Sequence, residues 1–308
     1  MKGVKSYLKY VVVLVFAVVA GVVIWQYNQA ESASTTVSEQ KPPVPGLDEI
    51  PDGPEGELIK QGRKYMMETH TALDGYVGNK LSCASCHANA GAGPALDLVG
   101  VDKTYPMYNS RAGKDVDLRD RVNGCFQRSM NGTPLDKNGP EMDAMIAWLE
   151  FIGQNAPEDT TRAWAKIKIE GELPKADVAN GERLYNLACA SCHAVDGSGN
   201  DDGSKFGLAV WGDDSYNVGA GMNRLRTAAG FIQKYMPKAH MGNIQTGTLT
   251  TQEAIDIATY INSHARPDFP NKIYDWPNGD APDDAAYETL SMQKKKAEEA
   301  AKKEQDSK

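Results

Sequence analysis

Two copies of one pentapeptide constrain this chain more than any other feature. Both read Cys-Ala-Ser-Cys-His, at residues 83–87 and 189–193, and they lie 106 residues apart. Two thiols three residues apart can reach the two vinyl groups along one porphyrin edge, and the following histidine supplies the proximal iron ligand. Zinc ribbons do not need a histidine at that position in both copies. The motifs therefore predict two covalently bound haem c groups, attached through Cys83, Cys86 and His87 and through Cys189, Cys192 and His193.

The first motif lies inside a segment with the order helix, haem motif, loop, closing helix. "GELIKQGRKYMMETH" predicts the opening helix and "PEMDAMIAWLEFIG" the closing one. Pro140 suits a first helical turn, and Gly153 suits the C-terminal stop. This order is typical of small cytochrome c domains, so we expect one over residues 56–156.

The second motif has the same surroundings. "VANGERLYNLACASCHAVDGSG" runs into the motif, and "LTTQEAIDIATYINSHARP" follows it as a closing helix. Thr250 and Glu253 fit a capping box, and Pro267 marks the end of the helix. Ala254, Ile257, Ala258 and Ile261 predict its apolar face. We therefore expect a second domain over residues 176–268, a linker over 157–175, and an all-α fold of two cytochrome c-like domains in tandem.

The two ends of the chain have distinct compositions. Three lysines precede an uncharged apolar run at residues 10–25, which predicts a signal anchor over residues 1–30. The lysines should stay cytoplasmic, and the remainder should lie in the periplasm, held to the inner membrane. A soluble periplasmic protein after signal cleavage is the alternative.

The segments beyond the two domains are polar. Residues 31–55 are rich in Ser, Thr, Pro, Gly and acidic residues, which predicts a disordered tether. Residues 269–308 are expected to form a C-terminal extension that ends in a charged tail, either a solvated helix or disordered. The formal net charge of the whole chain is -8, which argues against a nucleic-acid partner.

Each predicted haem needs a second axial ligand. For the second haem the candidate is Met236, which lies 43 residues after His193. A thioether ligand raises the haem potential, which suits electron delivery. Nearby rivals are Lys234, His240 and Met241, and Met222 is a weaker one. His70 and His264 are expected to be exposed polar residues rather than ligands.

For the first haem, spacing leaves two candidates open. Met130 lies 43 residues after His87, matching the second domain, whereas the unpaired Cys125 lies 38 residues after it. The window from Lys103 to Arg128 holds six basic and three acidic residues, and positive neighbours favour a metal-binding thiolate. The alternative is that these basic residues pair with nearby aspartates, as the i,i+4 spacing of Asp117 and Arg121 would allow.

Two long stretches carry a family resemblance. "YPMYNSRAGKDVDLRDRVNGCFQRSMNG" and "PDFPNKIYDWPNGDAPDDAAYETL", together with both haem motifs and "YMP", resemble the thiosulfate dehydrogenase and tetrathionate reductase family over residues 56–290. The resemblance implies that Cys125 is the distal ligand of a catalytic haem. It also implies a second haem that relays electrons, with Met236 as its ligand. The residues that it implies for substrate binding are Arg111, Arg121 and Ser129.

The family resemblance also implies a reaction. Two thiosulfates would couple to tetrathionate with release of two electrons, or the reverse reaction would occur. An external electron donor or acceptor, such as a soluble cytochrome, would supply or remove the two electrons. The preferred direction stays open. An electron carrier with two haems and no substrate, its irons ligated by Met130 and Met236, is the alternative. Such a carrier would not need a basic patch beside one haem and would turn over neither ion. A dihaem peroxidase is disfavoured, since no acid–base residue is indicated near a removable ligand.

Overall fold

The computed structural model of the chain describes residues 40–200 and 207–306. Its first half contains α1 (Pro54–Met67), α2 (Thr69–Ala72), α3 (Cys83–Cys86), α4 (Leu118–Arg128) and α5 (Pro140–Gly153). Its second half contains α6 (Val178–Ala188), α7 (Ala190–His193), α8 (Leu225–Tyr235), α9 (Thr251–Asn262) and α10 (Leu290–Asp306). The predicted tandem of helical domains is confirmed in outline.

A short β-hairpin departs from the all-α expectation. Strands β1 (Met107–Asn109) and β2 (Lys114–Val116) pair antiparallel, with Met107 opposite Val116. The side chain of Asn109 closes the turn by accepting a hydrogen bond from the Ala112 amide at 3.2 Å. Three-residue strands are too short to carry a readable alternation of apolar and polar residues, so the sequence did not indicate them.

In the first domain, α1 crosses α5 at a glycine. A Cβ atom on Gly62 would lie only 1.8 Å from the carbonyl oxygen of Ala144. Only glycine allows the two helix backbones to approach this closely. Around the crossing, Met66 on α1 and Trp148 on α5 are buried in one hydrophobic core.

The second domain repeats this crossing with α6 and α9. A Cβ atom on Gly181 would lie 2.1 Å from the carbonyl oxygen of Asp256. The predicted capping box of Thr250 and Glu253 is confirmed, and the predicted apolar face of α9 is buried. The helix ends at Asn262, several residues before Pro267.

One local expectation in the first domain was wrong. Residues 42–50 are not a free tether, because Val44 and Ile50 pack against the first core and the Asn155 side chain donates to the Pro43 carbonyl at 3.0 Å. The predicted helix stop is confirmed, because Gly153 is the last helical residue of α5. A glycine is needed there because a Cβ atom would lie 2.1 Å from the Asp102 carboxylate.

The expected linker and the C-terminal extension both pack onto the domains. The Ile169 amide donates to the Arg226 carbonyl at 3.2 Å, and Arg162 donates through Nε to the Val99 carbonyl at 2.9 Å. In the extension, Trp276 is buried, and its amide donates to the Arg111 carbonyl at 2.9 Å. The charged tail forms the exposed helix α10 as far as Asp306.

The predicted signal anchor at residues 1–30 lies outside the described residues. Within residues 40–200 and 207–306, the helices are too short or too polar to cross a membrane.

The two glycine crossings can be tested by substitution. Gly62→Ala and Gly181→Ala should each lower the free energy of unfolding of the affected domain by about 1–3 kcal/mol, because the added methyl group pushes the helices apart. Guanidinium denaturation followed by absorbance and circular dichroism measures this. Gly75→Ala is the matched control, since nothing lies within 4 Å of its Cβ position. Stability losses no larger than that of the control would contradict the crossing model.

Candidate active site

The first haem motif opens onto a cavity of about 420 Å³, here called the His87 cavity. Cys83, Cys86 and His87 line it from one side, and Cys125 and Met130 line it as well. The motif forms the single turn α3, which begins with a reciprocal capping box between Ser82 and Ser85. This turn presents both thiols and the imidazole to the same space.

A backbone carbonyl orients His87. The Nδ1 atom lies 2.6 Å from the Leu96 carbonyl oxygen, which can only accept, so Nδ1 carries the proton and Nε2 keeps its lone pair. Burial lowers the pKa of His87 to about 4, so the ring is neutral at pH 7. A neutral imidazole with a free Nε2 beside two thiols is the donor set of a haem c site.

The second motif repeats this arrangement around the His193 cavity. Cys189, Cys192 and His193 line the cavity, and the Nδ1 atom of His193 lies 2.7 Å from the Leu208 carbonyl oxygen. Burial also lowers the pKa of His193. Both motifs therefore fit haem c by their ligand chemistry and by the cavity that each faces.

The structure narrows the candidates for the second axial ligand in the His193 cavity. Met222, Met236 and Met241 line this cavity, whereas Lys234 and His240 do not. Lys234 instead lies 5.5 Å from the ring centroid of Tyr235, because its position near the end of α8 directs it away. Met236 remains the predicted ligand, with Met241 and Met222 as rivals. Lys238, which the sequence analysis did not consider, also lines the cavity.

His70 and His264 line neither haem cavity among the described residues. His70 is exposed and pairs with Ser82 at 3.0 Å, as expected for a polar surface residue. His264 is half-buried rather than exposed, because its ring stacks on Trp211 with centroids 4.0 Å apart.

Cys125 lies in α4 and has a charged partner. The Arg121 guanidinium donates through Nη1 to the Cys125 sulfur at 2.9 Å. The pKa of Arg121 is raised above its ordinary value, chiefly by the negative charge of Cys125. This contact places a cationic donor against the Cys125 sulfur at the wall of the His87 cavity. Met130 lines the same cavity but is buried in the first hydrophobic core.

The basic window around Cys125 divides into structural and site residues. Some of its members are held by carboxylates: Lys103 by Glu158 at 2.8 Å, Arg119 by Asp143 at 2.6 Å, and Arg128 by Asp275 at 2.7 Å. The predicted alternative pair of Asp117 and Arg121 does not form. Asp117 caps α4 and bonds Lys137 at 2.7 Å, which leaves Arg121 for Cys125. The net charge of the window therefore overstates the charge that faces the site.

A second cavity of about 480 Å³ adjoins the His87 cavity, and we call it the cationic cavity. Arg121 and Ser129 line both cavities. The other basic residues that line the cationic cavity are Arg111, Arg128, Lys168 and Arg224. The structure thus brings Arg111, Arg121 and Ser129 together in one cavity, and Arg121 connects that cavity to Cys125.

Arg111 is held by the second domain and the extension. Its Nη1 donates to the Gly219 carbonyl at 2.6 Å, and its guanidinium lies 4.9 Å from the ring centroid of Trp276. Burial lowers the pKa of Arg111. Asp275 lies 3.8 Å from Arg111 Nε and also accepts a bidentate pair from Arg128.

Sequence reasoning missed three residues of this cavity. Lys168 lies in the expected linker, Arg224 precedes α8, and Asp275 belongs to the C-terminal extension. Each is distant along the chain from Cys125, and no local spacing rule connects them. The family-like stretch that contains Asp275 was the only available signal for it.

Two helical domains that each present an oriented histidine and two thiols to a cavity define a tandem c-type cytochrome. Residues 74–157 match the family profile "SoxA/TsdA, cytochrome c domain", and residues 178–265 match the profile "Cytochrome c". The chain is 38% identical over 262 residues to a thiosulfate dehydrogenase of Psychrobacter arcticus, covering 83% of this chain and 78% of that protein. It belongs to the thiosulfate dehydrogenase family, as its motifs indicated.

Further relatives agree with this assignment. The chain is 36% identical over 247 residues to a thiosulfate dehydrogenase of Allochromatium vinosum, covering 77% of this chain and 87% of that protein. Its fold also matches the structure of a thiosulfate dehydrogenase (TsdBA) from Marichromatium purpuratum, in the as-isolated form, with a TM-score of 0.68 and 33% identity. That match covers 79% of this chain and 52% of the other, so this chain spans about half the length of that protein.

The ligand prediction for the His193 cavity can be tested by spectroscopy. Met236→Gly should lower the potential of one haem and remove absorption that depends on methionine–iron ligation, because the thioether is lost. Redox titration of the purified protein measures both effects. Met241→Gly and Met222→Gly are the matched controls, since both side chains line the same cavity. If either control gives these effects while Met236→Gly does not, Met236 is not the ligand.

Proposed function

We propose that the protein is a dihaem c-type cytochrome that interconverts two thiosulfates and tetrathionate plus two electrons. The observation that carries this proposal is the position of Cys125. Cys125 lines the His87 cavity, and its sulfur accepts a hydrogen bond from Arg121, which lines both the His87 cavity and the cationic cavity. A sulfur ligand for iron and a site for anions thus lie side by side.

The residues of the two cavities would hold the cofactors. One haem would be bound covalently by Cys83 and Cys86, with His87 and Cys125 as axial ligands. The other would be bound by Cys189 and Cys192, with His193 and Met236. When bound, each haem supplies a one-electron redox centre, so the pair matches a two-electron reaction.

The cationic cavity supports binding of the proposed substrates. Thiosulfate and tetrathionate are dianions, and a planar guanidinium matches the oxygen geometry of such ions better than an ammonium does. Opposite unit charges about 4 Å apart attract by about 4 kcal/mol at an effective dielectric constant of about 20. Arg111 and Arg121 would bind the sulfonate oxygens, and the Ser129 hydroxyl would complete the contact.

The Cys125 sulfur has a chemical role in this proposal. Its thiolate would form a sulfur–sulfur bond with the terminal sulfur of one thiosulfate as two electrons leave. The terminal sulfur of a second thiosulfate would then attack that bond, releasing tetrathionate and restoring the thiolate. Arg121 would stabilise the thiolate in each resting state, since its hydrogen bond is charge-assisted.

The proximity of the two motifs supports an electron relay. Ser85, which lies between the cysteines of the first motif, lines the His193 cavity. Leu81, two residues before the first motif, packs in one buried cluster with Tyr216, which lines the same cavity. We therefore assign the second haem as the relay to an external electron donor or acceptor, such as a soluble cytochrome.

Location is part of the same proposal. Haem c attachment and the apolar N-terminal run favour a periplasmic protein, held to the inner membrane by residues 1–30 or released by signal cleavage.

A carrier with two haems remains the second candidate function. The position of Met130 in the His87 cavity favours it, because Met130 could ligate that iron in place of Cys125.

Steady-state assays in both directions test the function, and variants of Cys125 test its basis. Wild-type protein should oxidise thiosulfate and reduce tetrathionate. Cys125→Gly should retain both haems, change the spectrum of one, and lower turnover by orders of magnitude in both directions. Cys125→Met restores a sulfur ligand without a charged nucleophile, so it should not restore turnover.

Met130→Leu is the matched control, because it changes a second sulfur in the same cavity at nearly constant volume. It should leave the spectrum and turnover unchanged. The carrier function would be favoured if wild-type protein turned over neither ion, or if Met130→Leu altered the spectrum and Cys125→Gly did not.

A further inference from the structure

The basic residues of the cationic cavity differ in whether a carboxylate pairs with them. Arg128 gives both terminal nitrogens to the two oxygens of Asp275, whereas Arg224 gives Nε at 2.9 Å and Nη2 at 2.5 Å to one oxygen of Asp284, and its Nη1 is not part of that pair. The cavity carboxylate of Asp120 is already bonded to Lys137 at 2.9 Å. Lys168 also lines the cavity, and within residues 40–200 and 207–306 its ammonium has no ion-pair partner.

The backbone around Lys168 is fixed against the second domain. Ile169 exchanges two hydrogen bonds with Arg226, its amide donating at 3.2 Å and its carbonyl accepting at 3.0 Å. A Cβ atom on Gly230 would lie 1.7 Å from the Ile167 carbonyl oxygen, so the segment packs directly on α8. Lys168 is therefore held in place at the cavity by its neighbours and is not part of a loose linker.

The surroundings of Lys168 favour an anion. Its side chain retains access to solvent, yet partial desolvation and repulsion from Arg224 and Arg111 lower its pKa, against a smaller opposing effect of the Asp284 and Glu170 carboxylates. Like charges gathered in one cavity repel until a counter-ion binds between them. Arg224 uses Nε and Nη2 for Asp284, which fixes its guanidinium beside Lys168.

We infer that Lys168 and Arg224 form a second anion subsite for the sulfonate group that lies farther from Cys125. This inference rests on the proposed function. Tetrathionate carries a sulfonate at each end, and the coupling reaction must hold two mutually repelling dianions in one cavity. Arg111 and Arg121 hold the sulfonate near the reacting sulfur, while Lys168 and Arg224 hold the distal one. The second domain thus contributes to substrate binding as well as to electron relay.

Calorimetric titration with tetrathionate tests this subsite independently of turnover. Lys168→Gln should weaken tetrathionate binding about tenfold, the cost of one charge-assisted contact. Lys168→Arg keeps the charge and should bind within about twofold of wild type. Lys175→Gln is the matched control, because this exposed lysine of the same linker does not line the cationic cavity and should bind like wild type.

Kinetics give a second readout. Lys168→Gln should raise KM for thiosulfate and leave kcat nearly unchanged, because the lost contact serves binding of the distal sulfonate rather than the reacting sulfur. The haem spectrum should not change. Tetrathionate binding by Lys168→Gln equal to that of Lys175→Gln would overturn the subsite, and so would an equal loss in Lys168→Arg.

The two proposals fail in different ways. If wild-type protein turns over both ions while Lys168→Gln matches the control in binding and KM, only the subsite is overturned. If wild-type protein neither binds nor turns over either ion, the proposed function fails and the subsite fails with it.

Discussion

The structure depends on two close helix crossings, one in each domain. At Gly62 and at Gly181 the absence of a Cβ atom lets a helix backbone touch the carbonyl oxygen of the closing helix. The crossings bring the core side chains of α1 and α5, and of α6 and α9, into contact. Each pair forms a compact support for the turn that carries the cysteines and the histidine. The cavities therefore open beside a rigid scaffold, which is what a precisely held metal ligand requires.

Ion pairing distinguishes the basic residues that stabilise the fold from those that face the candidate site. The buried Asp275 accepts from both terminal nitrogens of Arg128 and from the Tyr287 hydroxyl, so the C-terminal extension is tied to α4. This carboxylate neutralises one arginine of the cavity and lies near a second, Arg111. The arginine that remains closest to Cys125 is Arg121, which donates directly to its sulfur. In the cationic cavity, Arg128 thus stabilises the fold through its ion pair, whereas Arg121 contacts the Cys125 sulfur.

The two domains form one functional unit because each contributes to the other's site. Ser85 of the first haem motif lines the His193 cavity, and Gly219 of the second domain accepts from Arg111. The linker segment adds Lys168 to the cationic cavity. The proposed substrate site would lie at this junction, where a short path would connect it to the proposed relay haem. The cationic cavity also combines basic residues from the first domain, the linker and the second domain, namely Arg121, Lys168 and Arg224.

The sequence by itself determined the haem motifs and the order of helices, because these depend on short spacings and helical periodicity. It indicated the family through the resemblance of two long stretches. It predicted the capping box of Thr250 and the buried face of α9, which are local consequences of side-chain type. It also identified Cys125 as unusual. Only the tertiary structure decided which basic residues face the site, because ion pairs such as Arg128 with Asp275 join residues 147 positions apart. It likewise excluded Lys234 from the His193 cavity and placed Lys168 in the cationic cavity, since both outcomes depend on how distant segments pack.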